Sequence, residues 1–399
     1  CPIVEADDDC DMSYWSERQI KSGFDNPRNP YRIKNYYKID EEYGNDDDLR
    51  AFVKKAHSVG LKVILDLVYY HCGPNADYIK DHPDFITRDE QGNVLSGRWK
   101  FPINNFNSPG LRNYLWDNMI YFIEKFEADG YRCDVGDNVP LDFWAEGVRR
   151  IRKLKPSAIM INEGVKASYL DVFDVNYCFE WSYTLQRVIC GETQIDEIRN
   201  VWEKYNTLFS GKPCLRALNT HDMVNDSYDR RSETVAGNDA TEAALVLNFT
   251  IDGVPFLYNG EEIADENRHS IFANRYHGNG NTIDWSMALT EAGQKRTRII
   301  RELCRIRHMY NALENGRTEW LECDGERSVL FFLRRSDEQC VGVYINMSSG
   351  IKAVRSNFRI AEEDIIIKKG IRNDSIENRE IVFEQYGYLV FLADTHTSD

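Results

Sequence analysis

The sequence predicts an α/β fold in which a domain of parallel strands and helices precedes an antiparallel all-β domain. The first observation is a rhythm that begins at Asp46, where a helical stretch, a glycine or polar turn and a short apolar run that ends in charged residues follow one another repeatedly. This alternation is typical of βα units around a parallel sheet. The second observation is that short alternating strands with polar turns replace this rhythm after Asn311. That change predicts a separate antiparallel β-sandwich.

Six strand candidates follow one another in the βα part. Its first helix, DDDLRAFVKKAHSVG, begins with acidic residues that suit the helix dipole and ends at Gly60. The apolar face expected to be buried comprises Leu49, Phe52, Val53 and Ala56. The strand candidates are LKVILDLV, GYRCDV, AIMINEG, VNYCFEWSY, CLRALNTHD and GVPFLYNGEE. A (β/α)8 TIM barrel needs eight strands, so the N-terminal strands are expected to be missing from this chain and to lie upstream of it.

Two changes of pattern set the expected domain boundaries. Between residues 72 and 105 the alternation is interrupted by a loop-rich segment that is too long for an ordinary βα turn. We therefore expect an inserted B subdomain at 72–105 and a barrel formed by residues 1–71 and 106–312, closed by the helix QKRTRIIRELCRIRHMY. The C-terminal all-β domain is expected to comprise residues 313–399.

Charge and hydropathy exclude two classes of partner. The formal net charge of -16 opposes binding to polyanions, which depends on neutralisation by Lys and Arg, so we expect no nucleic-acid partner. The most apolar stretch, residues 243–258, is interrupted by Asn248, Asp252 and Gly253 and is too short to cross a bilayer. No membrane insertion is therefore expected.

The ten cysteines lie far apart and form no CxxC motif. We interpret them as buried free thiols that act as small hydrophobic residues, rather than as a disulfide framework or a zinc site. Free thiols favour the cytoplasm, while a periplasmic or secreted location stays open if an export signal preceded the chain. The compartment and the oligomeric state are left open.

Polar side chains cluster where the predicted strands end. They are Asp66, His71, Arg132, Asp134, Glu163, His221, Asp222, Glu261 and Glu262. The C-terminal ends of parallel barrel strands open to one mouth, so these groups are expected to converge there. Hydrolysis of an acetal needs one carboxylic acid that protonates the leaving oxygen and a second carboxylate that faces the oxocarbenium ion. Asp134 and Glu163 fit these roles, although a carboxylate at a strand end also serves as a cap or a surface charge.

The motifs GYRCDV, INEG, NTHD and GVPFLYNGEE, preceded by DLVYYH, stand in the order of the conserved segments of one enzyme family. The chain resembles glycoside hydrolase family 13, the α-amylase family, and the segment CPI resembles the end of that family's second strand. The resemblance implies that Asp134 is the nucleophile, Glu163 the acid/base and Asp222 the residue that stabilises the transition state.

Four further residues are expected to bind the substrate. Arg132 lies two residues before Asp134, on the same face of the strand, and is expected to keep that carboxylate ionised through a charge-assisted contact. The resemblance implies that His71 and His221 hydrogen-bond sugar hydroxyls where the bond is cut. Tyr31, in NPYRIKNYYKID, resembles the tyrosine that stacks on that sugar.

Two departures from the family pattern bear on metal and substrate. The family usually has Asn before the histidine of its first segment, as an oxygen ligand for calcium, but this chain has Tyr70, whose ring cannot replace that oxygen. We expect no metal and no cofactor. Many α-amylases have a Lys-His pair after the nucleophile, where this chain has Asp137 and Asn138. Action on an α-glucan or a maltooligosaccharide is therefore favoured over cleavage within long starch.

The sequence thus predicts a retaining α-glycosidase that acts through a covalent glycosyl-aspartate intermediate. A transglycosidase or an α-glucosidase would use the same three carboxylates, and the sequence does not separate these activities. A non-enzymatic carbohydrate-binding scaffold of the same fold is the alternative from another class. Such scaffolds typically lose catalytic residues, whereas Asp134, Glu163 and Asp222 are all present.

The tyrosine at position 70 predicts that catalysis is independent of calcium. Hydrolysis of maltooligosaccharides is expected to continue at an unchanged rate after dialysis against EDTA, because the usual oxygen ligand is replaced. The measurement is the release of reducing ends before and after chelation. A loss of activity that added calcium restores would contradict this prediction.

Overall fold

The structure, a computed structural model, describes residues 2–227, 231–267, 269–273, 282–323, 326–372, 376 and 379–394. The chain divides into two units. The first unit contains the described residues of Cys1–Tyr177 and His269–Asn281, and the second contains those of Cys178–Arg268 and Thr282–Asp399. The domain boundaries expected from the sequence stay predictions.

The first unit is built on a four-stranded parallel sheet. A two-stranded antiparallel ribbon precedes the sheet and consists of β1 (Val4–Ala6) and β2 (Ile33–Ile39). The strands of the sheet, in the order in which they pair, are β3 (Ile64–Leu67), β4 (Gly130–Cys133), β5 (Ile159–Asn162) and β6 (Val175–Asn176). The parallel βα character predicted from the sequence is confirmed for this part of the chain, while closure into a barrel stays a prediction.

Five helices accompany these strands: α1 (Glu17–Ser22), α2 (Asp46–Ser58), α3 (Tyr78–Asp81), α4 (Pro109–Phe126) and α5 (Leu141–Leu154). Helix α2 has Asn45 as its N-cap, which forms a capping box with Asp48, and α4 has Ser108 as its N-cap and a proline in the first turn. These local signals explain why α2 starts at Asp46, as the sequence predicts, and why α4 starts at Pro109. The short α3 lies in the predicted insertion.

Two sequence expectations are wrong in detail. Phe52 does not lie on the buried face of α2 but is 61% exposed, because the buried stripe of this helix is narrow and follows Leu49 and Val53. The predicted strand VNYCFEWSY ends at Asn176, and a helix begins at Phe179. From that residue onward the buried positions follow the helical period, which the short apolar run does not reveal.

The second unit combines a parallel strand pair, helices and an antiparallel sheet. The parallel pair consists of β7 (Leu215–Ala217) and β8 (Val254–Phe256). The helices are α6 (Phe179–Ile189), α7 (Asp196–Leu208), α8 (His221–Ser227), α9 (Ser232–Ala236), α10 (Asn238–Thr250), α11 (Glu291–Met309) and α12 (Asn311–Asn315). Helix α10, which connects the two parallel strands, is buried along most of its length.

The C-terminal strands form one curled antiparallel sheet. They are β9 (Arg317–Leu321), β10 (Val329–Arg335), β11 (Cys340–Asn346), β12 (Lys352–Arg355), β13 (Ile365–Ile371) and β14 (Glu380–Leu392). The 13-residue β14 pairs with β11, β12 and β13, which joins the strands into one sheet around an apolar core. The predicted antiparallel character is confirmed, but the described strands are connected through β14 rather than divided into two layers. Within the described residues, no helix has the length and apolarity needed to span a membrane.

Gly130, at the start of β4, offers a test of how the catalytic sheet is packed. Its φ is +147°, and an added Cβ would lie 1.9 Å from the carbonyl oxygen of Ile159 on β5. Gly60 has a φ of +80° but open space around the Cβ position, so it is a matched control. We expect Gly130→Ala to lower the free energy of unfolding by roughly 1–3 kcal/mol more than Gly60→Ala, because overpacking adds to the backbone strain. Equal losses in urea unfolding would contradict this packing.

Candidate active site

Charged side chains meet at the C-terminal ends of β3, β4 and β5. In the parallel register Asp66 of β3 is paired with Arg132 of β4, and Cys133 is paired with Asn162 of β5. Asp134 and Glu163 follow directly after β4 and β5. This register therefore carries the two carboxylates and the arginine to the same edge of the sheet.

The guanidinium of Arg132 contacts three carboxylates. Its Nη1 donates to Asp66 Oδ1 at 2.7 Å and to Asp134 Oδ1 at 2.8 Å. Its Nη2 lies 2.6 Å from Glu163 Oε1 in an ion pair. The Nε atom faces the hydroxyl of Tyr177 at 3.4 Å. Since all three carboxylates are almost entirely buried, the shared cation is what makes their burial tolerable.

The single positive charge of Arg132 is shared among three carboxylates, which corrects the expectation that it keeps Asp134 ionised. Burial, followed by the neighbouring Glu163 carboxylate, raises the pKa of Asp134 well above its usual range, while Arg132 acts in the opposite direction. The predicted contact is present, but it does not by itself keep Asp134 ionised. Burial and the proximity of Asp134 to Glu163 therefore disfavour a state in which both carboxyl groups are ionised. One ionised and one protonated carboxyl is the state that hydrolysis of a glycosidic bond requires.

The turn after Asp134 contains an unusual backbone conformation. Val135 has φ 45° and ψ 38°, in the left-handed region that β-branched residues rarely enter. Its N–H donates to Glu163 Oε2 at 2.7 Å. The indole Nε1 of Trp144 donates to the carbonyl of Gly136 at 3.1 Å and so supports the same turn from the helix side. The strained turn therefore holds the carboxylate of Glu163 next to Asp134.

His71 lies in an aromatic surrounding. Its ring centroid is 5.9 Å from that of Tyr70, 5.5 Å from that of Trp99 and 5.0 Å from that of Phe101. Burial lowers the pKa of His71 to about 3, opposed only in part by the backbone of Tyr31. Within the described residues, neither ring nitrogen has a partner in hydrogen-bond geometry. A buried, neutral imidazole of this kind is suited to bind a hydroxyl group of a ligand.

Tyr31, Asp66 and Tyr177 complete this group. The Tyr31 hydroxyl donates to Asp66 Oδ2 at 3.4 Å, and burial raises the pKa of Tyr31 well above its usual range. The sequence placed Asp66 at the barrel mouth without a catalytic or binding role, and it did not point to Tyr177. The sequence signal that pointed to Asp66 was its position at the end of the strand in DLVYYH. No comparable signal pointed to Tyr177, because the strand before it is only two residues long.

The remaining predicted site residues, His221 and Asp222, belong to the second unit. They form the first turn of α8, where His221 Nε2 lies 3.8 Å from Asp222 Oδ1. Both side chains are only partly exposed. The convergence of this pair with the carboxylates of the first unit stays a prediction.

A separate group of charged residues is buried in the second unit. Asn219, just before His221, donates from its amide to Glu261, which also accepts the N–H of Tyr258 at 2.8 Å. Arg296 Nη1 donates to Glu233 Oε1 at 2.7 Å. Burial, followed by repulsion from Glu233, raises the pKa of Glu261 to about 8. Glu261 is thus a buried carboxyl group that retains its proton near neutral pH.

The known proteins to which this chain is similar belong to one class of protein. Residues 19–93 match the family model described as "Alpha amylase, catalytic domain". The chain is 25% identical to a cyclomaltodextrinase of Geobacillus thermopakistaniensis, over 80% of this chain and 57% of that protein. It is 25% identical to α-amylase 3 of Dictyoglomus thermophilum, over 90% of this chain and 82% of that protein. The chain therefore spans little more than half the length of the first of these relatives.

A solved structure extends the comparison to the fold. The structure of a maltogenic α-amylase from Thermotoga neapolitana superposes with a TM-score of 0.77 at 25% identity and covers 92% of this chain and 85% of that one. The resemblance to the α-amylase family, glycoside hydrolase family 13, that the sequence indicated is confirmed, because the matched family model, the relatives and the solved structure are all amylase-like glycoside hydrolases.

The protonated state of Glu261 predicts a pH dependence of stability. An unfolded glutamate loses its proton near its ordinary pKa of 4.5, whereas the folded chain keeps the proton of Glu261 up to about pH 8. The contribution of this group to the free energy of unfolding therefore falls as the pH rises through that window and is constant below it. Glu261→Gln has no proton to lose, so its stability is expected to fall less between pH 5 and pH 8. Urea unfolding at several pH values measures this, and parallel pH profiles for both proteins would refute the assignment.

Proposed function

We propose that this protein is a retaining α-glycosidase that hydrolyses α-glucosidic bonds in α-glucans or maltooligosaccharides. The observation that carries the proposal is the buried pair of Asp134 and Glu163, which share the guanidinium of Arg132. The match to the α-amylase family model and the names of the relatives, a cyclomaltodextrinase and two α-amylases, support the substrate class.

In the proposed reaction Asp134 attacks the anomeric carbon while Glu163 gives its proton to the departing glycosidic oxygen. The bond between that oxygen and the anomeric carbon breaks, and a covalent glycosyl ester with Asp134 forms. Glu163, now ionised, then removes a proton from a water molecule that attacks the ester, which releases Asp134 and restores the starting proton. Retaining enzymes need carboxylates only about 5–5.5 Å apart. Contacts from Asp134 and Glu163 to neighbouring nitrogens of one guanidinium support such a short separation.

We propose that the substrate lies against His71 and Tyr31. Two further residues of the proposed binding site are taken from the order of the motifs. The neutral, unpaired imidazole of His71 supports a hydrogen bond to a sugar hydroxyl. Asp222 is proposed to stabilise the transition state and His221 to bind a sugar hydroxyl, because both stand in the NTHD motif. These two roles rest on the family resemblance.

We propose that the parallel strands of the chain belong to a (β/α)8 barrel, with an inserted subdomain at 72–105 and an all-β domain at 313–399. The parallel order of β3 to β6, the parallel pair of β7 and β8 and the likeness to the maltogenic amylase support this arrangement.

Substitution of the two carboxylates tests the proposed function. Glu163→Gln is expected to lower kcat on maltooligosaccharides by about 10²–10⁴-fold, the usual contribution of general acid-base catalysis. Asp134→Asn is expected to lower it at least as far, since the nucleophile itself is lost. Glu124→Gln, an exposed position on α4, is the matched control and should retain the wild-type rate. Initial rates with the products resolved by chromatography provide the measurement, and full activity of Glu163→Gln would refute the role of Glu163.

A further inference from the structure

The carboxylate of Asp137, three residues after Asp134, is bound by the segment that carries Glu163. Its Oδ2 accepts the backbone N–H of Val165 at 2.7 Å and that of Lys166 at 3.0 Å. Its Oδ1 accepts Nδ2 of Asn162 at 3.0 Å. The donors lie immediately before and shortly after Glu163 in the chain, so one carboxylate fixes the segment on both sides of that residue.

The main chain of Asp137 strengthens the same connection. Its carbonyl oxygen accepts the Lys166 ammonium at 2.6 Å and the Tyr169 hydroxyl at 3.2 Å. The amide of Asn162, which is fully buried, also donates to Asn176 Oδ1 at 2.9 Å. Asp137 therefore joins the turn after β4 to the segment after β5 through several independent hydrogen bonds.

Two glycines allow the turn and the segment to approach this closely. A Cβ added at Gly164 would lie 2.1 Å from Asp137 Oδ1, and one added at Gly136 would lie 2.1 Å from Asn162 Oδ1. Any larger residue at either position would push the carboxylate or the amide out of place. The glycines of the DVGDN and NEGVK segments are thus explained by the packing around Asp137.

The turn holds Glu163 at two points. Val135 donates its N–H to the Glu163 carboxylate, and Asp137 binds the backbone that flanks the same residue. A β-branched residue in the left-handed region is strained, and the surrounding contacts must offset that strain. The geometry links this local strain to the placement of Glu163.

We infer that Asp137 is a positioning residue that keeps the acid/base Glu163 aimed at the leaving-group oxygen. This inference rests on the proposed retaining mechanism. A general acid must lie within hydrogen-bond reach of the atom that it protonates. The contacts of Asp137 fix the backbone on both sides of Glu163, so their loss lets the carboxyl group move away from that position.

Two substrates with different needs for a proton test the inference. When a maltooligosaccharide is cleaved, the leaving group is a sugar whose glycosidic oxygen must be protonated. In contrast, α-maltosyl fluoride releases fluoride without help from a general acid. Asp137→Ala is expected to lower kcat on maltooligosaccharides by about 10²-fold, the scale of a 1 Å misplacement, with KM changed far less. On α-maltosyl fluoride kcat/KM, which reports formation of the glycosyl ester and not its later hydrolysis with Glu163 as the base, is expected to stay within about fivefold of wild type. On maltooligosaccharides kcat/KM falls with kcat, since only the sugar leaving group needs a proton from the general acid.

Asp137→Asn and Asp174→Asn complete the experiment. Asp137→Asn retains one carbonyl acceptor and should fall between wild type and Asp137→Ala on maltooligosaccharides. Asp174 accepts the N–H of Met160 at 2.8 Å near the opposite end of β5 and pairs with Arg152, so Asp174→Asn, which also keeps one carbonyl acceptor, weakens a comparable contact of the same strand. It should leave the ratio of the two activities at the wild-type value. The alkaline limb of the pH profile, which reports the proton on the general acid, should shift in the Asp137 variants alone.

The possible outcomes separate the two claims. Equal losses on both substrates in folded Asp137→Ala and Asp137→Asn, as judged by circular dichroism, would overturn the positioning role and leave a structural one. Unchanged activity on both substrates would overturn it as well. A wild-type protein that is inactive on both substrates would instead refute the proposed function, and the inference with it.

Discussion

The arrangement of the first unit depends on one guanidinium shared by three buried carboxylates. Removing charged groups from water is costly, and an arginine among carboxylates reduces that cost only when the geometry is good. The parallel register that places Arg132 beside Asp66 provides this geometry, and Asp134 and Glu163 then follow at the strand ends. Burial and the neighbouring Glu163 carboxylate raise the pKa of Asp134, because one positive charge does not balance three negative ones.

The protonation of this pair links the structure to the proposed chemistry. A carboxylate pair that ionised fully would lack an acid, and a pair that stayed fully protonated would lack a nucleophile. Burial and the neighbouring Glu163 carboxylate raise the pKa of Asp134, while the Arg132 contact lowers it. His71 adds a neutral polar group in an aromatic surrounding and adds no charge to the site. The electrostatics of the site thus follow from burial as much as from residue type.

Much of this could be predicted from the sequence, and the failures have physical causes. Helix α2 has a capping box and a repeating apolar pattern, so its position was readable. Phe52 was assigned to the buried face of α2 because the sequence does not show how wide the buried part of a helix's apolar face is. VNYCFEWSY was assigned to a strand because a short apolar run fits a strand and a buried helix equally well. The motif order pointed to Arg132, Asp134 and Glu163, which the structure brings into contact, while their roles stay predictions. It did not reveal the contacts of Asp137, which become visible only when the two loops are brought together.

The most direct test of the central claim is to trap the intermediate. A 5-fluoro α-glucosyl fluoride slows both steps of a retaining reaction, so an active protein should accumulate a covalent glycosyl ester. Digestion and mass spectrometry of the inactivated protein should place the adduct on the peptide that contains Asp134, as the account predicts. An active protein that forms its adduct on another residue, or that releases product with inverted configuration and no adduct, would contradict the account.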